Sequence, residues 1–247
     1  MSFGAIYVAT HKDNRSKNIT VNEVLRSVRL LRTYSPNIPK AIVATKKILQ
    51  NKNLTKHFDY KIQSKYPNFN GFMGSKIQAL ELSPFEHTLI LDNDTLPILD
   101  ISNGFNFIKS GIRDIALSIA PRQELRDNSG ITNFQNGVMF VHKNKRTIEF
   151  FSTWLKEVRK DGFDSPTRYI FSKLLLNNPN IKLYALSYFW NFRIDLLLDF
   201  NITLGILKNI LPQVRVLHTH LQRTRAINIF NKYHQVNEIK TIIGFQG

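Results

Sequence analysis

A chain of 247 residues and 28.7 kDa with 43% hydrophobic content can fill one sizeable core, and no tract in it has the composition of a disordered segment. Zero cysteines exclude disulfides, thiol nucleophiles and Cys-ligated zinc, leaving His, Asp and Glu as candidate metal ligands. A net charge of +16 with a pI near 10.1 calls for an anionic partner, whether a phosphate-rich ligand, an acidic membrane surface or a nucleic acid.

The apolar stretches fall short of the roughly 18 to 20 residues that span a bilayer, and Met1 leads directly into Ile6-Tyr7-Val8 without a basic region ahead of an apolar segment. The expected location is therefore cytoplasmic. Ala5 to Thr10 reads as a buried first strand. Thr20-Val21-Asn22-Glu23 has capping-box spacing, and Val21, Val24, Leu25, Val28 and Leu31 recur at helical intervals until Ser35-Pro36. Ala41 to Thr45 then reads as a second strand, so that strand, helix and strand form a parallel βαβ unit, the usual opening of a nucleotide-binding α/β domain. Residues 46 to 70 are polar, with turns and one short strand expected. A second capping box, Ser75-Lys76-Ile77-Gln78, opens a short helix that Pro84 must end.

Residues 87 to 95, His-Thr-Leu-Ile-Leu-Asp-Asn-Asp-Thr, form an apolar run that stops on two carboxylates, Asp92 and Asp94. In extended chain, positions i and i+2 point the same way about 6 to 7 Å apart, so one cation can meet both. Open α/β sheets bind ligands outside the carboxyl ends of their strands. Two hard oxygens there suit Mg²⁺ or Mn²⁺, completed by water and phosphate.

Further along, a helical segment through Phe107 and Ile108 ends at Gly111, and Asp114 to Ala120 is an apolar run closed by Pro121. Gln123 to Thr132 reads as a loop. Asn136 to Val141 is a strand entered through Gly137, and Lys145 to Lys160 is an amphipathic helix with Ile148, Phe151, Trp154, Leu155 and Val158 on one face. Ser165 and Pro166 start another helix that runs to about Asn177. Residues 181 to 187 read as extended, Trp190 to Arg193 as a turn, and Val214 to Leu217 as a last strand entering His218-Thr219-His220. From Arg223 onward a basic amphipathic helix is expected, which docks on its own domain or lies on anionic lipid.

Several of these features, in chain order, resemble the GT-A glycosyltransferases that use nucleotide sugars and carry a DxD signature: Ala9-Thr10 at the first strand end, Lys76 before the acidic strand, Asp92-Asn93-Asp94, Phe134-Gln135-Asn136-Gly137-Val138, Asp164-Ser165-Pro166, Asn191-Phe192-Arg193 and Val216-Leu217-His218. The resemblance covers about residues 5 to 220. It implies a single α/β domain over 1–247 with a mixed, mostly parallel central sheet flanked by helices. Residues 1–115 would form the nucleotide-binding half, 116–220 the donor-sugar and acceptor half, and 221–247 the basic C-terminal helix.

The same resemblance implies a metal-dependent transferase that moves a sugar from a UDP- or GDP-sugar to a hydroxyl on a glycan, lipid-linked sugar or protein. Asp92 and Asp94 would hold Mn²⁺ or Mg²⁺, Asp92 also touching the donor's ribose or sugar, with His218 either a third ligand or a core histidine and His220, two residues on, competing for the role. An imidazole beside two carboxylates favours Mn²⁺. Ala9, Thr10, His11, Asn93 and Arg193 would contact the nucleotide, Lys76 and Arg223 would neutralise the diphosphate, and Gln135 and Asn136 would orient the donor sugar. Asp164 is the candidate base for the acceptor hydroxyl, although Ser165 stands where the family usually has a second acidic or amide group. The alternative from another class is a non-catalytic basic protein binding nucleic acid or acidic membrane. Nucleic acid is the less expected partner, and contact with the inner face of a membrane is compatible with either reading.

Overall fold

The structure is a computed structural model that describes residues 2–10, 14–65, 75–109, 111–119, 133–160, 167–193 and 211–219. Its elements run β1 (Phe3–Ala9), α1 (Asn14–Tyr34), β2 (Lys40–Ala44), α2 (Lys46–Leu49), α3 (Lys52–Thr55), β3 (Tyr60–Gln63), a 3-10 turn at Ser75–Gln78 leading into α4 (Ala79–Leu82), and β4 (His87–Leu91). They continue with β5 (Thr95–Pro97), α5 (Asn106–Lys109), β6 (Ile115–Ile119), β7 (Phe134–His142), α6 (Lys145–Lys160), α7 (Thr167–Leu176), β8 (Leu183–Leu186), β9 (Phe192–Arg193) and β10 (Val216–His218). Seven strands form one sheet in the order β3-β2-β1-β4-β7-β6-β8, and β5-β10-β9 form a small second sheet. Strands β3, β2, β1 and β4 are parallel, β7 runs antiparallel to both β4 and β6, and β8 is parallel to β6. The expected mixed, mostly parallel sheet flanked by helices is therefore what the chain forms. The sheet passes without a break across the boundary at residue 115.

Side chains alternate between the two faces of each strand, and each face carries its own core. On one face Leu89, Leu91, Val138 and Phe140 pack with Val24, Val28 and Leu31 of α1 and with Phe105 and Trp190. On the other, Ile90, Met139 and Val141 meet Phe150, Phe151, Trp154 and Val158 of α6 and Phe171 and Leu175 of α7. Each such fully buried side chain stabilises the fold by about 1.5–3 kcal/mol.

Two of the expected helix starts are corrected. Helix α1 begins at Asn14, six residues ahead of Thr20, so Thr20 and Glu23 are buried interior residues and not a terminus. The polar residues from Asn14 to Asn18 carry no apolar period by which to recognise that first turn. At Ser75 the backbone makes a 3-10 turn, and the Gln78 side chain accepts from Ser64 Oγ (3.1 Å) and Lys65 N (3.0 Å) instead of closing a capping box. The inward face of α6 is Thr147, Phe150, Phe151, Trp154 and Val158, while Ile148 is 41% exposed. That rotation is set by a reciprocal cap, in which Asn144 N donates to Thr147 Oγ1 (3.0 Å) and Thr147 N donates to Asn144 Oδ1 (3.1 Å). No described helix is long and apolar enough to cross a membrane.

Candidate active site

From β1 the chain builds outward through β2 to β3 and then crosses back to place β4 on the other side of β1, and the crevice at such a switch point, beyond the carboxyl ends, is where open α/β sheets bind ligands. A cleft of about 320 Å³ opens there, lined by Val8 of β1, Leu91 to Asp94, Lys76, Gln135 to Gly137, Arg168, Asn191, Arg193 and His218.

Asp92 still belongs to the ladder, since its N–H donates to Gly137 O at 2.8 Å. The chain then turns rather than continuing extended, because Thr95 N (3.2 Å) and Thr95 Oγ1 (2.6 Å) both donate to Asp92 O. The two acids thus converge through a turn and not through strand alternation. The turn hands the chain to β5, where Thr95 pairs with His218, and His218 in turn pairs with Arg193. Thr219 locks the junction by donating from its N (3.1 Å) and Oγ1 (3.0 Å) to Asp94 O. This small sheet is what brings residue 218 to residue 94.

One ligand atom from each of Asp92, Asp94 and His218 lies within 4.8 Å of the others. His218 Nε2 stands 3.2 Å from Asp94 Oδ1, and His218 Nδ1 pairs with Asn191 Oδ1 at 3.0 Å. An Nδ1–H donated to Asn191 leaves Nε2 directed at the carboxylates, the orientation expected of a metal-ligating imidazole held by an outer partner. Burial pulls the His218 pKa down, but the adjacent Asp94, reinforced by Asp92, outweighs burial and the Arg193 charge and lifts it above the usual histidine value. Two carboxylates and an imidazole at this spacing fit a divalent cation, and the nitrogen donor suits Mn²⁺ better than Mg²⁺.

Lys76 is 8% exposed and its ammonium is spent inside the protein. It donates to both oxygens of Asp92 (2.8 and 3.0 Å), to Asn136 O (3.2 Å) and to Asn136 Oδ1 (3.0 Å). It therefore holds Asp92 against β7 while lining the cleft. Asn93 donates to Val8 O at 3.0 Å, tying the acidic turn to the end of β1. Both amide atoms of Gln135, Asn136 Nδ2, Asn93 Oδ1 and Asn191 Nδ2 are shut from solvent without a protein partner among the described residues. Leaving one such group unsatisfied costs about 1–3 kcal/mol, a penalty that water or a polar ligand in the cleft would remove.

Of the other expected residues, Ala9 is fully buried in the core and Thr10 is nearly so, and it is Val8 that lines the cleft. His11, Asp164, His220 and Arg223 lie outside the described residues, as do the 123–132 loop and the C-terminal basic segment. Arg168 and Asn191 are cleft residues that site reasoning from the sequence did not assign. The signal for Arg168 was a basic side chain in the first turn after Pro166. For Asn191 it was an amide two residues before the cleft arginine.

The mixed seven-stranded sheet flanked by helices is that of the GT-A glycosyltransferase fold. Among solved structures, the galactosyltransferase LgtC in complex with donor and acceptor sugar analogues superposes with a TM-score of 0.61 at 11% identity, over 97% of this chain and 99% of that one. The glycosyltransferase GlyE of Streptococcus pneumoniae gives 0.63 at 13% identity over 97% of this chain and 62% of that one. Mouse xyloside xylosyltransferase 1 gives 0.57 at 10% identity over 90% and 99%. No family model and no curated protein sequence matches the chain.

Proposed function

We propose that the protein is a metal-dependent glycosyltransferase that takes a glycosyl group from a nucleoside diphosphate sugar and passes it to an acceptor hydroxyl. The observation that carries this reading is the convergence of Asp92, Asp94 and His218 in the switch-point cleft, beside amides that lack protein partners among the described residues. The glycosyltransferases that share the fold support it. Asp92, Asp94 and His218 would hold Mn²⁺, which when bound supplies Lewis-acid stabilisation of the charge that grows on the phosphate oxygens as the glycosidic bond breaks.

The chain's own groups do the rest. Lys76 fixes the Asp92 carboxylate, and Asn191 fixes the His218 ring, so the acidic cluster is organised before the donor arrives. Arg193 and Arg168 give the cleft positive charge for the departing diphosphate. Gln135 and Asn136, with their unused amide atoms, orient the donor sugar. Asp92 and Asp94 are the only carboxylates among the described residues that line the cleft. The resemblance seen in the sequence makes Asp164, four residues ahead of the cleft residue Arg168, the candidate for the base that takes the acceptor proton.

Incubation with UDP- and GDP-sugars, with and without Mn²⁺, tests the proposal through release of free nucleoside diphosphate. Turnover or slow donor hydrolysis is expected with Mn²⁺ and should fall at least about 100-fold in Asp94→Ala with the circular dichroism spectrum unchanged. Full activity in that variant contradicts the assignment.

A further inference from the structure

A second cluster of metal-ligating side chains sits at the other end of β4, roughly 16 Å from Asp92 at about 3.3 Å per residue. His87 opens β4 and His142 closes β7, and the two stand directly opposite in the ladder. Lys143 N donates to Glu86 O (2.7 Å), whereas His87 N and His142 N point outward to Ser2 O and Asp114 O (2.9 Å each). His87 and His142 therefore occupy the narrow, non-hydrogen-bonded type of antiparallel pair, in which side chains approach most closely. Their imidazoles stack with centroids 4.7 Å apart and planes 9° from parallel. Glu86 Oε1 lies 3.7 Å from His142 Nε2, and one ligand atom from each of the three residues lies within 4.8 Å of the others.

We propose that Glu86, His87 and His142 form a second metal site, for a borderline ion such as Zn²⁺, that clips the amino end of β4 to the carboxyl end of β7. Two imidazoles and a carboxylate are a zinc donor set, with water available as the fourth ligand. His87 is 2% exposed and its Nε2 has no hydrogen-bond partner among the described residues, so a buried ring nitrogen there can take a ligand. On the other side the site is open, because the side chains of His142 and Glu86 are 19% and 42% exposed and give an ion a path in. Bonds of about 2.0–2.2 Å to a tetrahedral ion set ligand atoms roughly 3.4 Å apart, and because an imidazole donates in its ring plane the two stacked rings must also rotate out of their stack to converge on one ion. The ammonium of Lys143 is directed away, onto Glu81 O (3.1 Å) and Ser83 O (2.7 Å). None of the three ligands lines the cleft, so the proposal does not depend on glycosyl transfer.

Zn²⁺ titration by calorimetry on tag-free protein tests it in an Asp94→Ala background, which disables the cleft cluster. One equivalent of Zn²⁺ should still bind and raise the melting temperature. Adding His142→Gln should abolish that equivalent, and adding Glu86→Gln, on a partly exposed side chain, should weaken it at least tenfold. Asp94→Ala protein that binds no Zn²⁺ overturns the proposal, as does an equivalent that survives His142→Gln at unchanged affinity. Should circular dichroism show that His142→Gln unfolds the chain, Glu86→Gln decides alone, and undiminished affinity there refutes the site.

Discussion

A methyl group at Gly137 would stand 2.6 Å from His218 Cε1 and 3.2 Å from Asp92 Oδ2, so this glycine is what allows the imidazole and the first acid to share a site. Gly137→Ala should move His218, lower Mn²⁺ affinity at least tenfold and cost about 1–3 kcal/mol through overpacking. Calorimetric titration with Mn²⁺ checks the first effect and urea unfolding the second. Asp114 offers a different residue-level test. It is fully buried, and although burial raises its pKa, hydrogen bonds from Arg146, Lys182 N and Asn144 outweigh that and hold it below the usual carboxylate value. Between the folded and unfolded pKa values the unfolded chain binds more protons, so this contribution is present above about pH 4 and is lost as pH falls through the depressed folded value. Asp114→Asn should cost about 2–3 kcal/mol at pH 7. The gap from wild type in urea unfolding should narrow towards pH 3, and a gap independent of pH contradicts the account.

At the scale of elements, α6 is fastened to the sheet by Trp154, which is 0% exposed and packs against Phe151 and Phe171 at centroid distances of 5.5 and 4.8 Å. Trp154→Ala should cost about 3–5 kcal/mol in urea unfolding. This helix was legible in the sequence to the residue at both ends, because five apolar positions repeat at helical spacing between polar flanks. Strand β4 was legible for a related reason, an apolar run bounded by Pro84 and two acids. Legibility failed where the determining partner was remote or the local pattern misled. Thr20 and Glu23 have the spacing of a helix start but lie inside α1. Helices α2 and α3 span four residues each, too few to display a period. The acidic turn was read as extended chain because its shape depends on Thr95 bonds and on pairing with β10, more than 120 residues later. For the same reason His218 was recognisable as a candidate ligand by resemblance, whereas the Lys76 bridge from Asp92 to Asn136 was not.

For the whole molecule, the proposed function gives the +16 charge and the cleft one shared task, to attract a nucleoside diphosphate and then release it. Long-range charge speeds the encounter, but it is screened beyond about 8–10 Å at physiological salt and cannot by itself distinguish a nucleotide sugar from any polyanion. Selectivity has to come from the acidic turn, which repels phosphate unless a cation lies between. The account therefore predicts thermodynamic coupling, in which Mn²⁺ tightens nucleoside diphosphate binding and the nucleotide tightens Mn²⁺ binding by the same factor. Calorimetric titration of UDP and GDP into the protein with and without Mn²⁺, at fixed ionic strength, measures this directly. The predicted result is an affinity gain of at least tenfold with Mn²⁺ for one of the two nucleotides, absent in Asp94→Ala. Binding that is equally tight without the metal, or a gain that persists in Asp94→Ala, would contradict a cation held by Asp92, Asp94 and His218 bridging the protein to the diphosphate.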